Sequence, residues 1–245
     1  MSEIVKTEAI VLSKMNYGES SKIAVFYTYD SGKLTGIIKG ARSAKSSFGL
    51  KIDPLNQLQL VLYKKHNREM QLITQAELVN SYHRIKEDFD SIKYATAVLE
   101  LINVLTIEEE INHRIFKGLV RILSLFEQAA EPPPILLIRF ILFLLTEIGY
   151  HIQFDNCAQC HKPINETDKF SFSFEHGILC NDCSEGFSNS FIISKELFIL
   201  IKGLSNKNNT IIVGSHGADN AINFLEKFIK YHVPDFKGIK SIHLF

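Results

Sequence analysis

Four cysteines carry the clearest chemistry in the 245-residue sequence. Cys157-x-x-Cys160 and Cys180-x-x-Cys183 stand 19 residues apart, and each short turn lets two thiolates converge on a single ion. Two such turns complete a tetrahedron at sulfur–metal distances of about 2.3 Å, which is how zinc is held in structural sites. A hydrolytic zinc keeps one position open for water, so four thiolates point to a structural ion and away from a catalytic one. Ordinary buried thiols are the alternative, and the paired spacing argues against them. His161 and His176 could substitute as ligands, but with four cysteines at hand they read as outer or surface residues. Between the pairs, Phe170, Phe172 and Phe174 alternate with serines and Glu175-His176-Gly177 makes a turn, which predicts a hairpin that delivers the second pair. Zinc would then hold together a module, residues 154–190, whose own apolar core is thin.

Two sets of cations have spacings of interest. Lys39, Arg42, Lys45 and Lys51 follow one another in a stretch where Gly40, Ser43, Ser46 and Ser47 keep the backbone open to approach. Such side chains along a groove neutralise phosphates and release counterions, while exposed aromatics stack on bases. Tyr17, Tyr27, Tyr29 and Phe48 are the stacking candidates, although an aromatic in a strand is more often core. A solvated loop is the other reading of the same basic run. The second set, Arg114, Lys117 and Arg121, stands at i, i+3 and i+7, one face of a helix, with Gly118 lowering the surface beside it. Arg139 is the lone charge in the most apolar stretch. It can snorkel, and the stripe can simply face water.

Other chemistries find no support. Gly32-Lys33 is followed by Leu34 and lacks the upstream glycine of a phosphate-binding loop. A zinc deaminase requires a His-x-Glu element and a Pro-Cys-x-x-Cys, and Cys157-Ala158-Gln159-Cys160 has neither partner. Glu108, Glu109 and Glu110 read as a run at a helix start, where the macrodipole favours them. The expectation is a protein that catalyses no reaction. Its net charge is zero, but the first 80 residues hold 11 Lys and Arg against 7 Asp and Glu, and residues 81–156 hold 7 against 11. The basic third therefore precedes an acidic middle. Glu3, Lys6 and Glu8 interrupt any secretory signal, and the apolar run Ile135 to Leu145 is too short to span a bilayer, so a cytoplasmic protein without a membrane partner is expected.

The elements that must position these groups change type near residue 80. Leu58, Leu60 and Leu62 against Gln57, Gln59 and Tyr63 alternate with the period of a strand, and similar runs occur at Ile4 to Leu12, Ile23 to Tyr29, Leu34 to Lys39 and Met70 to Leu78. Turns at Asn16-Tyr17-Gly18 and Asp30-Ser31-Gly32 and a long connection from Gly40 to Pro54 join them. Five short strands in some eighty residues suit a closed barrel of the oligonucleotide-binding (OB) type. Beyond residue 80, Ile92, Ala95, Leu99 and Ile102, then Ile111, Ile115, Leu119, Ile122 and Phe126, keep helical spacing. A third helix, Ile135 to Ile148, is apolar nearly all round, with Gly149 as its C-cap. Lys195 to Leu204 and Asp219 to Tyr231 complete the set. The fold class is α+β, with an OB barrel over residues 1–80 and a helical domain over 81–245 into which the zinc module is inserted.

Tyr17-Gly18-Glu19-Ser20-Ser21, Gly32-Lys33-Leu34 and Lys39-Gly40-Ala41-Arg42-Ser43 together resemble the RecO family of bacterial recombination mediators. Val11-Leu12, the Leu58 to Tyr63 strand, Ala76-Glu77-Leu78, Gly149-Tyr150 ahead of the first cysteine pair and Lys240-Ser241 are similar too. The resemblance covers nearly the whole chain, although residues 81–134 match only in kind. It implies an OB-fold N-terminus, a helical domain and a zinc module. It also implies binding to single- and double-stranded DNA, annealing of complementary strands, and work with RecR to load RecA onto DNA coated by single-stranded-DNA-binding protein, at the bacterial nucleoid. Lys39, Arg42, Lys45 and Lys51 become DNA contacts on that reading. Arg114, Lys117, Arg121 and Arg139 become receivers of the acidic, hydrophobic C-terminal tail of single-stranded-DNA-binding protein, which needs a cation beside an apolar groove. The residues alone leave open a zinc-stabilised scaffold whose barrel binds a protein or RNA.

Overall fold

The computed structural model describes residues 3–43, 46, 48–49, 51–65, 68–165, 169–205 and 215–243. Five strands come first: β1 (Glu3–Tyr17), β2 (Ser21–Thr28), β3 (Gly32–Ile38), β4 (Gln57–Lys64) and β5 (Met70–Asn80). They close into a barrel in the order β1-β2-β3-β5-β4. Closure is made by a parallel pairing of β3 with β5 at Thr35↔Met70 to Ile37↔Leu72; every other pair is antiparallel. The alternation read in β4 holds, with Leu58, Leu60 and Leu62 wholly buried beside Ala9, Val11, Phe26 and Ile38 in one core. Burying such side chains contributes about 1.5–3 kcal/mol each.

β1 runs five residues further than its hydrophobic alternation predicts. A register shift between Val11 and Ser13 absorbs one residue, after which Ser13 to Tyr17 keep pairing with Val25 to Ser21. Lys14, Met15, Asn16 and Tyr17 are all exposed, so this end of β1 is an edge that pairs with β2 alone and leaves side chains of both parities in solvent. Hydrophobic periodicity cannot reveal a strand that has no buried face.

The helices of this part are α1 (His83–Glu87), α2 (Phe89–Leu105) and α3 (His113–Glu127), and then α4 (Pro133–Glu147) begins. Asp88 caps α2 through Ser91 N, and Asn112 caps α3 by accepting from Arg114 N and Ile115 N. α3 buries Ile115, Phe116, Leu119, Ile122, Leu123 and Phe126, while Ile111 lies outside it and is exposed. Glu108, Glu109 and Glu110 do not start a helix. They run alongside β3, with Glu109 N donating to Lys33 O (2.8 Å) and Lys33 bridging Glu108. Gly32 is obligatory there, because its φ is +63° and a Cβ would fall 2.1 Å from Glu110 O.

Packing groups the barrel with the helices that directly follow it. One compact unit is Met1–Leu137 with Ile239–Phe245, and the other is Ile138–Gly238. The reason lies in polar ties between barrel and helices. The Lys33 ammonium donates to Asn103 O (2.6 Å) and Thr106 O (2.5 Å) at the C-terminal end of α2. Tyr82 Oη donates to Gln57 Oε1 (3.0 Å), which explains why Gln57, expected on an outer face, is buried. The last short helix, α8 (Lys240–His243), is held by Glu100 of α2, which accepts from Lys240 N, Ser241 N and Ser241 Oγ.

The second unit begins within α4 and contains β6 (Phe170–Ser173), β7 (Gly177–Cys180), α5 (Asn181–Ser184), β8 (Phe191–Ile192), α6 (Lys195–Ser205) and α7 (Ser215–His232). Gly149, at φ +93°, ends α4 as expected, and Tyr150 N donates back to Leu145 O (2.7 Å). The expected hairpin exists, pairing Phe170↔Cys180 to Ser173↔Gly177, with β8 as an unforeseen third strand. Its phenylalanines are packed largely by residues of α6 and α7, outside the module. Phe172 packs against Phe154 (5.6 Å between centroids) and Phe224 (5.0 Å), and Phe170 against Phe198 (4.5 Å). Aromatic pairs of this kind add about 0.5–1.5 kcal/mol each beyond their area.

Candidate nucleic-acid interface and metal centre

The four cysteines converge. Their sulfurs all lie within 4.8 Å of one another. Cys160 Sγ and Cys180 Sγ are 3.7 Å apart, close to the roughly 3.8 Å edge of a tetrahedron built on metal–sulfur distances of about 2.3 Å. Cys157 sits in the turn after Phe154, where its N–H donates to Lys162 O, and Cys180 closes β7. The two turns are stitched together by Ala158 N donating to Ile178 O (2.8 Å) and by Cys180 N pointing at Cys157 Sγ (3.4 Å). Burial raises the Cys157 pKa, but backbone N–H groups of Cys160, Cys180 and Gln159 outweigh it and bring the thiol down to about 6. Those N–H groups stabilise a thiolate, the form that binds metal. The group is therefore positioned to hold a metal ion, and its donor set is compatible with zinc. Among the described residues it consists of the cysteines alone: His176 instead lies edge-on to Phe187 (4.7 Å), and His161 is exposed in a left-handed backbone position.

At the Tyr17 end of the barrel the structure brings two cations of the first set, Lys39 and Arg42, into one turn. Lys39 directly follows β3 and is exposed. Arg42 N donates to Ser20 O (2.9 Å), and its guanidinium donates to Gly18 O (2.7 Å). The Lys39-to-Arg42 turn is thus locked beside the β1–β2 turn, which joins two of the motifs read in sequence. Lys51 is half-buried and donates to Ala76 O (3.2 Å), so its amine is directed at the barrel wall. Lys45, with Ser47, lies outside the described residues. Of the aromatic candidates, Tyr27 is core, Tyr29 stacks on His113 (4.3 Å, 17°), and Phe48 packs against the barrel core. Tyr17 alone of the four is exposed.

Arg114, Lys117 and Arg121 form the expected exposed stripe on α3. Lys117 and Arg121 line a cleft of about 640 Å³ against the outer face of the barrel, with Phe116, Val120 and Tyr29 as its apolar part. That volume is within the range of about 300–1,000 Å³ that ligand clefts occupy. Lys6 lines it too, together with Glu8 and Asp30. Sequence reading passed over Lys6, although its outward position follows from the period of two in β1. Arg139 belongs to the second unit, where its Nη1 lies 3.5 Å from Leu204 O near the C-terminal end of α6. A cation is favoured at that end of a helix.

Among the described residues no helix is long and apolar enough to cross a membrane. Residues 1–82 match the family model for the N-terminal part of recombination protein O, and residues 86–241 match the model for its C-terminal part. The chain is 28% identical over 244 residues to the DNA repair protein RecO of Clostridium novyi, covering 99% of this chain and 93% of that protein. It is 28% identical over 254 residues to the protein of the same name from Chloroherpeton thalassium (99% and 98%). With that of Caldanaerobacter subterraneus subsp. tengcongensis it shares 30% identity over 239 residues (96% and 95%).

Proposed function

The chain belongs to the recombination protein O (RecO) family, whose role is in DNA repair and recombination, and we propose that it works there as a DNA-binding mediator. It binds single- and double-stranded DNA and anneals complementary strands. With RecR it helps to load RecA onto DNA coated by single-stranded-DNA-binding protein, at the bacterial nucleoid. None of these steps makes or breaks a covalent bond, so the chain acts as a binding protein and not as an enzyme.

The observation that carries this reading is the locked pair of turns at the barrel end. Two flexible cations on a free loop would lose much of their side-chain entropy on binding. Here Arg42 is already fixed to Gly18 and Ser20, with Lys39 at the start of the same turn. Lys39 and the outward N–H groups of Arg42 then meet phosphates, the sequence-independent part of DNA affinity. The acidic tail of single-stranded-DNA-binding protein lies along α3, its carboxylates on Lys117 and Arg121 and its apolar side chains against Phe116 and Val120. The four thiolates hold zinc, whose chemistry here is to fix the two cysteine turns.

The test is the double charge reversal K39E/R42E. It is expected to weaken oligonucleotide binding equally across sequences and to lower the slope of log affinity against log salt by about one for each cation lost. Affinity and slope unchanged from the parent would remove this turn from the site.

A further inference from the structure

The strand register places an apolar surface next to those cations. On the outer side of the barrel, Met15 pairs with Ile23 and Ile23 with Ile37, so the three side chains form a row across β1, β2 and β3. Tyr17 pairs with Ser21 in the next row, and continuing the β2–β3 register by one residue sets Lys39 at its end. Met15 is 62% exposed and Tyr17 49%, while Ile23 and Ile37 are half-buried. Lys14 and Lys22 have the opposite parity and occupy the other face of these strands. The outer face is therefore apolar, with its cation at the rim.

An exposed thioether and phenol on an edge strand, bordered by Lys39 and Arg42, suit a ligand with flat apolar faces strung on an anionic chain. We propose that Met15 and Tyr17, backed by Ile23 and Ile37, are the base-contacting surface of the chain and give it a preference for unpaired bases. The proposal rests on the DNA-binding reading above and deepens it. Phosphates lie toward Lys39 and Arg42, and bases turn inward onto the row. Paired bases are stacked inside a duplex and cannot present their faces to it. Arg42 acts as a positioning residue, since its bond to Gly18 O fixes the turn that carries Tyr17.

The experiment compares binding of the full-length, metal-loaded protein to an oligothymidylate and to an abasic strand of equal length and charge at one salt concentration. The parent is expected to bind the oligothymidylate at least about fivefold more tightly, since a stacked base contributes that much or more. M15A/Y17A is expected to lose that preference while keeping its affinity for the abasic strand, its salt slope and its melting temperature; Y17F keeps the preference. Equal affinity of the parent for both strands, or an M15A/Y17A variant with the parental preference, overturns the proposal and leaves DNA binding standing. A parent protein that retains neither strand at low salt overturns both.

Discussion

Lys33 belongs to a motif whose Gly-Lys pair invites a phosphate-binding role, yet its ammonium is directed inward. It is 8% exposed and donates to Asn103 O at 2.6 Å and Thr106 O at 2.5 Å. The perturbation is K33M, which keeps the length of the side chain and removes the donor. Two hydrogen bonds from a charged group contribute about 1.5–3 kcal/mol each, or roughly 3–6 together. Against this, burial pushes the amine below its ordinary pKa, with Glu108 pulling it back, and relieving that desolvation returns part of the loss. The two carbonyls left without a donor belong to the C-terminal end of α2, where the dipole also favours a cation. The net expectation is a loss of about 2–4 kcal/mol, equivalent to a fall of roughly 5–15 °C in the melting temperature of the unit that contains it. Urea unfolding should show a lower midpoint with an unchanged slope. DNA affinity and its salt dependence, measured well below the transition, should stay at the parental values. A melting temperature within about a degree of the parent's would refute the tie between β3 and α2, and lost DNA binding by a fully folded K33M protein would make Lys33 a ligand contact.

Further outcomes follow from other contacts. Mercurial titration of the purified protein should release one zinc ion per chain, and hydrogen exchange should then quicken in residues 155–162 and 180–184 but not in α6 or α7, whose protection comes from the phenylalanine cluster. K117E/R121E should abolish binding of a peptide carrying the acidic, apolar tail and leave oligonucleotide affinity as it was; retained peptide binding would move the tail elsewhere. Hydrogen bonds from the Ser91 side chain and backbone N–H hold the Asp88 carboxyl below its ordinary value of 3.8. Its stabilisation is therefore present above the unfolded value and lost as pH falls through the folded one, and D88N should flatten the melting-temperature profile below about pH 4. E100Q weakens the acceptor that holds Lys240 N, Ser241 N and Ser241 Oγ, and exchange at residues 239–243 should rise in consequence.

What the sequence revealed best were features in which one residue's environment is fixed by its near neighbours. The paired cysteines, the alternation at Leu58 to Leu62 and the Gly149 stop each follow from local geometry. The end of β1 at Lys14 to Tyr17 escaped because neither of its faces is buried. Glu108 to Glu110 were misplaced because their partner is Lys33, some seventy-five residues earlier in the chain. The alternation of Phe170, Phe172 and Phe174 with serines showed the hairpin but not that Ser171 and Ser173 are buried too, the Ser173 hydroxyl accepting from the Glu175 and His176 N–H groups of the turn. At the candidate interface, Lys39 and Arg42 were picked out by type and order. That Arg42 serves as a strut for the Gly18 turn, and that Lys51 points at Ala76, depends on pairings between distant segments that no local pattern encodes.

The return of residues 239–243 to α2 has a bearing on how the protein is made. Ile239 is fully buried and Ser241 nearly so, so the barrel-and-helix unit lacks one of its packed pieces until residues 138–238 have been translated. On the ribosome the N-terminal barrel can close early, while the face of α2 that carries Glu100 waits, uncovered, for residues 239–243 to emerge.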